Sequence, residues 1–341
     1  MQITSVDVHD GTAMRRWYAV LAAAGEADSP GVAMTTYAEL VEKARGDRTV
    51  EAEHYWAGLV DAEMVGVYRL RVTLLDNLNT ASMTLAVRPD RRHRGHGREL
   101  CAHAMAVVLA MGRHRIWVEV VEPLDGGPDG GLAPAARFAA AAGFRRALPM
   151  TRRVLELSSL DRQRLAGLQQ EAQARAQGYR LVSWAGRCPD DVADDLAALR
   201  ARMSVDAPLV DLDLEPESWD ASRVRARDAL LRAQGRTALT TCARRGADGP
   251  LVAFTDLGVT RHDPDNAYQW DTVVSAGHRG HRLGLLVKAA NLRALLAHAP
   301  RVRRLHTWNA DANTYMLAIN DALGFVPLQR EIEWQLDLPA P

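Results

Sequence analysis

Apolar residues recur along this chain with two alternating periods. Residues 54–60 (HYWAGLV), 63–74 (EMVGVYRLRVTL) and 81–87 (ASMTLAV) read as three strands, the first two joined by a tight turn at Asp61-Ala62. The spacing then changes to a helical one, with Leu100, Ala104, Val107, Val108 and Met111 on one stripe. Residues 115–121 (RIWVEVV) predict a strand rich in β-branched side chains. Residues 134–144 predict an Ala-rich helix ended by Gly143, and 151–157 (TRRVLEL) a further strand.

The same order returns in the second half. Strands are expected at 237–245 and 250–260, on either side of the turn GADG, and at 268–274. A helix follows with Leu285, Ala289, Leu292 and Leu296 on one face, then a strand at 302–308, a helix at 312–324 and a strand at 331–338. Gly97 and Gly284 are 187 residues apart, and Gly143 and Gly324 are 181 apart, so the chain reads as two copies of one unit. Between the copies, 161–178 is polar and Ala/Gln-rich and reads as a linker helix ended by Gly178. A strand at 179–184 and helices at 190–203 and 222–235 open the second copy. The expected class is α/β (α+β) with a mixed sheet.

Composition narrows the function. With 341 residues, 48% of them apolar, the chain can bury two cores. Lys+Arg and Asp+Glu are equal at 42 each, which argues against a nucleic-acid binder. The three cysteines (Cys101, Cys188 and Cys242) are far apart and show no metal-ligand spacing, so no metal is expected and a reducing, cytoplasmic setting is. The N-terminus lacks the apolar core of a signal peptide, and no window is apolar enough to span a bilayer.

Two runs stand apart from this balance. RPDRRHRGHGREL (88–100) and AGHRGHRLGLLVK (276–288) each follow a strand and open a helix. The first turn of a helix offers backbone N–H groups without intrahelical acceptors, and glycine lets a ligand approach them closely. Each run therefore suits an anionic, phosphate-rich ligand. Neither is a P-loop, because no Lys-Ser/Thr pair follows the glycines.

The first run resembles the acyl-CoA pyrophosphate motif R/Q-x-x-G-x-G/A of the GNAT-type N-acetyltransferases. Arg92, Gly95 and Gly97 fill its three positions, and Val87 matches the residue that contacts the pantetheine arm. In the second run Val274, Arg279 and Gly284 match, while Arg282 stands where the first glycine is usual. The final helix, NTYMLAINDALGF at 313–325, also resembles the family's element after the fifth strand. The resemblance implies two tandem GNAT-like domains, 1–160 and 179–341, each a mixed, mostly antiparallel sheet flanked by helices. It implies cofactor binding by Val87, Arg92, Arg94, Gly95, His96, Gly97 and Arg98 in the first. In the second it implies binding by Val273, Val274, Arg279, Gly280, His281, Arg282, Leu283, Gly284, Asn309 and Asn313.

The implied reaction is direct transfer of an acetyl group from acetyl-CoA to a primary amine of a small molecule. Such a site must orient the two reactants, remove a proton from the amine and polarise the thioester carbonyl. Glu119 in the first half resembles the strand-five glutamate that serves as base in ribosomal-protein acetyltransferases. Asp271, set among Trp and Val before the second loop, is the second candidate base. The tyrosine that acts as acid in many relatives is replaced by Ala139 and Asn320. Six acidic residues in 206–220 favour a cationic acceptor and place catalysis in the second half. The rival reading is a non-catalytic acyl-CoA-binding or regulatory protein built from two degenerate domains. The sequence carries no signature of oligomeric state.

Overall fold

The computed structural model describes residues 1–46, 49–124, 132–206 and 215–339. The glycine-rich stretch 125–131 and most of the acidic stretch 206–220 lie outside the described residues. Two compact units are formed. One comprises Met1–Met150 with Gln329–Pro341, and the other the described residues from 151 to 328.

In the first unit, β1 (Gln2–Ser5), β2 (Glu51–Val60), β3 (Glu63–Thr73) and β4 (Thr80–Val87) pair antiparallel in sequence order. The β2–β3 hairpin turns through Asp61 and Ala62, both at positive φ, as a two-residue turn matched to strand twist requires. β4 then runs parallel to β5 (Arg115–Glu122). Helices α1 (Gly11–Asp28) and α2 (Tyr37–Arg45) cover one face, where Met14, Trp17, Val20 and Leu40 bury against Tyr55 and Val67. On the other face α3 (His96–Ala110) sets Leu100, Ala104 and Val108 against Tyr68, Leu70 and Ile116, and α4 (Pro134–Ala141) adds Ala136 and Ala139.

The second unit repeats the plan. Its strands are β7 (Tyr179–Ala185), β8 (Arg236–Arg245), β9 (Leu251–Thr260), β10 (Asp263–Val274) and β11 (Arg304–Ala310). The first four pair antiparallel, and β10 runs parallel to β11. Helices α6 (Ala193–Asp206) and α7 (Ala221–Ala233) cover one face, and α8 (Leu283–His298) and α9 (Thr314–Leu323) belong to the other. The helix expected as a linker, α5 (Arg162–Arg175), is part of this unit. Its Leu165 and Ala172 join the core around α8, and Arg293 donates to Gln169 at 3.0 Å. With the sheet on one side and α5 on another, α8 is buried nearly all round, whereas α3 keeps an exposed face.

The last strands depart from contiguous halves. β6 (Arg145–Glu156) belongs to the first unit up to Met150 and to the second from Thr151. β12 (Val326–Asp337) places Arg330–Asp337 antiparallel to β5 in the first unit, with Ile332, Trp334 and Leu336 packed toward the α3 core. Alternating patterns specify which face a strand buries but not which strand it joins.

One topological detail positions chemistry in both units. Parallel pairing of β4 with β5 stops at Ser82↔Trp117, and that of β10 with β11 stops at Tyr268↔His306. Beyond those pairs β4 runs on to Val87 and β10 to Val274 without further pairing to β5 or β11. Both of these strand ends lead into the glycine loops.

Candidate active site

The two loops are built alike, atom for atom in places. After β4, a short turn at Pro89–Arg91 leads to Arg92, whose Nε donates to the Val87 carbonyl at 3.3 Å. After β10, the turn Ala276–His278 leads to Arg279, whose Nε donates to the Val274 carbonyl at 3.4 Å. Gly97 lies where a Cβ would come within 3.3 Å of Phe138 and 3.7 Å of Val87. Gly284 lies in the corresponding place, where a Cβ would come within 3.1 Å of Ile319 and 3.8 Å of Val274. The second motif glycine thus permits close packing of helix on strand and helix.

The departure at Arg282 leaves the backbone unchanged. The N-cap of α3 is Gly95 at φ 86, and that of α8 is Arg282 at φ 55, both left-handed. Two residues earlier, His93 at φ 61 corresponds to Gly280 at φ 84. Each loop needs two left-handed residues, and each fills one with glycine and one without it. Neither N-cap carries a side-chain hydrogen bond, so the first-turn N–H groups are left for a ligand.

The first loop borders a cavity of about 840 Å³. Val87, Ala102, Met105, Phe138 and Ala142 give it apolar walls, and Arg91, Arg92, His96, Arg98 and Arg137 give it a basic rim. This composition suits a ligand with an anionic end and a long, weakly polar arm. His96 also leaves its buried Nδ1 without a hydrogen-bond partner, the kind of orphan an anionic or polar ligand would satisfy. Arg94 is exposed and lies outside the lining. Arg92 is clasped by Asp28 of α1 through two hydrogen bonds of 2.7 and 2.9 Å, and Asp28 lines the same cavity.

The second loop borders a smaller cavity of about 300 Å³, lined by Met203, Val273, Val274, Arg279, Gly280, Leu283, Gly284, Asn313 and Tyr315 among others. Three expected ligands lie outside this lining. The His281 ring lies 5.4 Å from that of Tyr179, Arg282 reaches toward Glu171, and Asn309 accepts from Asn320 at 2.6 Å. Asn313 caps α9 by accepting from the Met316 amide at 3.1 Å, and it also borders the cavity.

The two candidate bases sit in different settings. Glu119 is exposed on β5, on the face away from α3, directly across from Glu333 of β12. Burial, aided by Glu331, holds the Glu333 carboxyl above its ordinary range against the opposing pull of Arg71. Asp271 lies on β10 beyond the last pair with β11, next to cavity-lining Thr272. Its Oδ2 accepts from Arg200 of α6 at 3.1 Å, and the side chain remains 36% exposed. Burial of the group and the neighbouring Asp256 carboxylate hold Asp271 above the usual carboxylate range, although Arg200 and Arg227 oppose them.

Asp256 was not among the sequence candidates. It is fully buried on β9, between Arg200 at 2.6 Å and Arg227 at 2.9 Å. Burial disfavours its charge, but the two guanidinium groups outweigh burial and keep it below the ordinary range. The Arg200 guanidinium in turn lies over the rings of Trp219 and Phe254, at 5.4 and 5.0 Å. Among the described residues, no group of three or more His, Cys, Asp or Glu could hold a metal ion, and no helix is long and apolar enough to cross a membrane.

Comparison with known proteins agrees with this construction. The model of the acetyltransferase (GNAT) family matches residues 17–126. A tandem GNAT protein from the clavulanic acid biosynthesis pathway is 32% identical, with 98% of each chain covered and a TM-score of 0.79. A GCN5-related N-acetyltransferase from Sphaerobacter thermophilus shares the fold at 14% identity, with 100% of this chain and 96% of that one covered and a TM-score of 0.69. No curated protein matches the chain. The chain belongs to the GNAT family of acyltransferases, which in general use acetyl-CoA. Within that family it is a tandem member, with a mixed sheet and flanking helices in each unit.

Proposed function

We propose that the protein transfers an acetyl group from acetyl-CoA to a primary amine of a small, cationic molecule, and that the second unit carries out the transfer. The observation that carries this reading is Asp271. It is a largely buried carboxyl of raised proton affinity, on the part of β10 beyond its last pair with β11 and adjacent in sequence to Thr272 in the lining of the second cavity. A carboxyl so tuned accepts a proton from the acceptor's ammonium more readily than an ordinary aspartate would, and the neutral amine so formed attacks the thioester, with the thiolate of CoA as leaving group. Strand N–H groups freed where β10 leaves β11 would polarise the acyl oxygen. The first-turn amides of α8 and Arg279 would hold the pyrophosphate. No tyrosine stands at Asn320, so a proton for the departing thiolate would come from solvent or from another side chain.

The larger first cavity favours a second reading, in which the first unit binds acetyl-CoA more tightly and Glu119 is the base. Thiol release from acetyl-CoA, measured with a panel of amines, separates the two. Asp271→Asn should lower turnover by roughly 10²–10⁴-fold while Glu119→Gln leaves it intact. Gly284→Trp should abolish turnover and Gly97→Trp should spare it. The reverse pattern would place catalysis in the first unit. Acetyl-CoA binding with no thiol release for any amine would make the protein a non-catalytic acyl-CoA binder.

A further inference from the structure

The strand that carries Asp271 is irregular at that residue. Gln269 pairs with Leu257 and Thr272 pairs with Thr255, so Trp270 and Asp271 together oppose the single residue Asp256. This is a β-bulge, a device that redirects a side chain and leaves one amide out of the ladder. The Asp271 amide donates to Oδ1 of Asp256 at 3.1 Å. Gln269 ties down the same stretch, donating to the Asp256 carbonyl at 2.6 Å and to the Thr255 hydroxyl at 3.0 Å. Trp270 lies over Gly258, where any Cβ would fall within 2.1 Å of its ring, and the Arg227 guanidinium lies over the same ring at 5.0 Å.

The buried carboxylate of Asp256 is thus joined to Asp271 twice. One link is the bulge amide. The other is Arg200, which gives NH2 to Asp256 and NH1 to Asp271. A carboxylate with no exposed surface and two cations is costly to assemble, and replacement by apolar residues would often be neutral for stability. Its arrangement is accounted for by what it does to its neighbour. Arg200 holds Oδ2 of Asp271, and Oδ1 is the oxygen left for a substrate.

We infer that Arg200 and Asp256 are positioning residues for Asp271: acting through the bulge, they fix one carboxylate oxygen and turn the other to the acceptor amine. This rests on the proposed role of Asp271. The charged groups facing it are Arg200 from α6, Arg227 from α7, Asp256 from β9 and Glu217 from the segment before α7. Their signs give opposite expectations for different substitutions. Loss of a cation disfavours ionised Asp271, and loss of the Asp256 charge favours it.

The test follows titration of the Asp271 carboxyl by carbon-13 NMR in the full-length chain, alongside the pH profile of thiol release. Arg200→Gln should raise the Asp271 midpoint by roughly 1–3 pH units and move the acid limb of kcat with it. Asp256→Asn should lower the midpoint, with kcat reduced and KM for acetyl-CoA unchanged. Arg227→Gln touches Asp256 but not Asp271, so it serves if either variant fails to fold, and it should raise the midpoint. Folded variants whose Asp271 midpoint is unchanged overturn the inference. If Asp271→Asn retains full turnover, the base assignment fails instead, and the NMR midpoints still decide the positioning role.

Discussion

His93 and Arg282 both hold left-handed backbone, at φ 61 and 55, and each stands where the other loop has glycine, Gly280 and Gly95 respectively. A left-handed conformation costs a residue with a Cβ roughly 1–2 kcal/mol, and glycine recovers this less its own entropy loss of about 0.5–1 kcal/mol. His93→Gly and Arg282→Gly should therefore stabilise the protein by up to about 1 kcal/mol. Gly95→Ala should destabilise it by a similar amount, up to about 1 kcal/mol. Thermal or urea unfolding of the three variants checks the ordering.

The clasp of Arg92 by Asp28 competes with any anion in the first cavity. Both side chains are partly exposed, so the pair itself is worth at most about 1 kcal/mol. Asp28→Asn should tighten CoA binding up to about fivefold, and the gain should shrink as salt is added. Calorimetric titration at two ionic strengths measures both effects.

Gly284 has less room than Gly97. A methyl group there would press on Ile319 at 3.1 Å, against 3.3 Å to the more exposed Phe138 at Gly97. Gly284→Ala should cost about 1–2 kcal/mol, and Gly97→Ala less, because Phe138 can swing outward. Equal losses in chemical denaturation would show that the two helix starts are packed alike.

Lys288 on α8 is 3% exposed, 5.7 Å from the Phe325 ring, and burial lowers its ammonium to about 7. The unfolded chain binds this proton up to about pH 10.4, so between about 7 and 10.4 it holds more protons than the folded chain. Stability should rise with pH across that window. Lys288→Met should remove the dependence and stabilise the protein most below pH 7, by up to roughly 5 kcal/mol. The gain should fade toward pH 10. Urea unfolding at pH 6.5, 8 and 9.5 reads this directly.

Much of the architecture could be read from residue periodicity. The two glycine loops, the strand before each and the helix after each stand where the spacing places them. The first helices of the first unit were not read, although Asp10 caps α1 and Thr36 forms a capping box with Glu39 ahead of α2. Their apolar stripe is diluted by alanine and tyrosine, which weakens the periodic signal. At the candidate site, Asp271 could be found because a charge interrupts an aromatic and β-branched strand. Asp256 interrupts a strand in the same way, but its meaning depends on Arg200 and Arg227, which come from two helices distant in sequence. The bulge that aligns them leaves no residue signature, since neither Trp270 nor Asp271 is a glycine.

The place of Arg330–Asp337 beside β5 has a consequence for how the protein is made. Glu122 meets its partner Arg330 across about 200 residues of intervening chain. At ordinary rates of synthesis, β5 would wait on the order of 10–40 s on the ribosome before its neighbour emerged. During that time the first unit would present an unpaired, Val-rich edge to other nascent chains or to a chaperone. Truncation within β12 should therefore be felt at the opposite end of the gene, as aggregation of the part translated first.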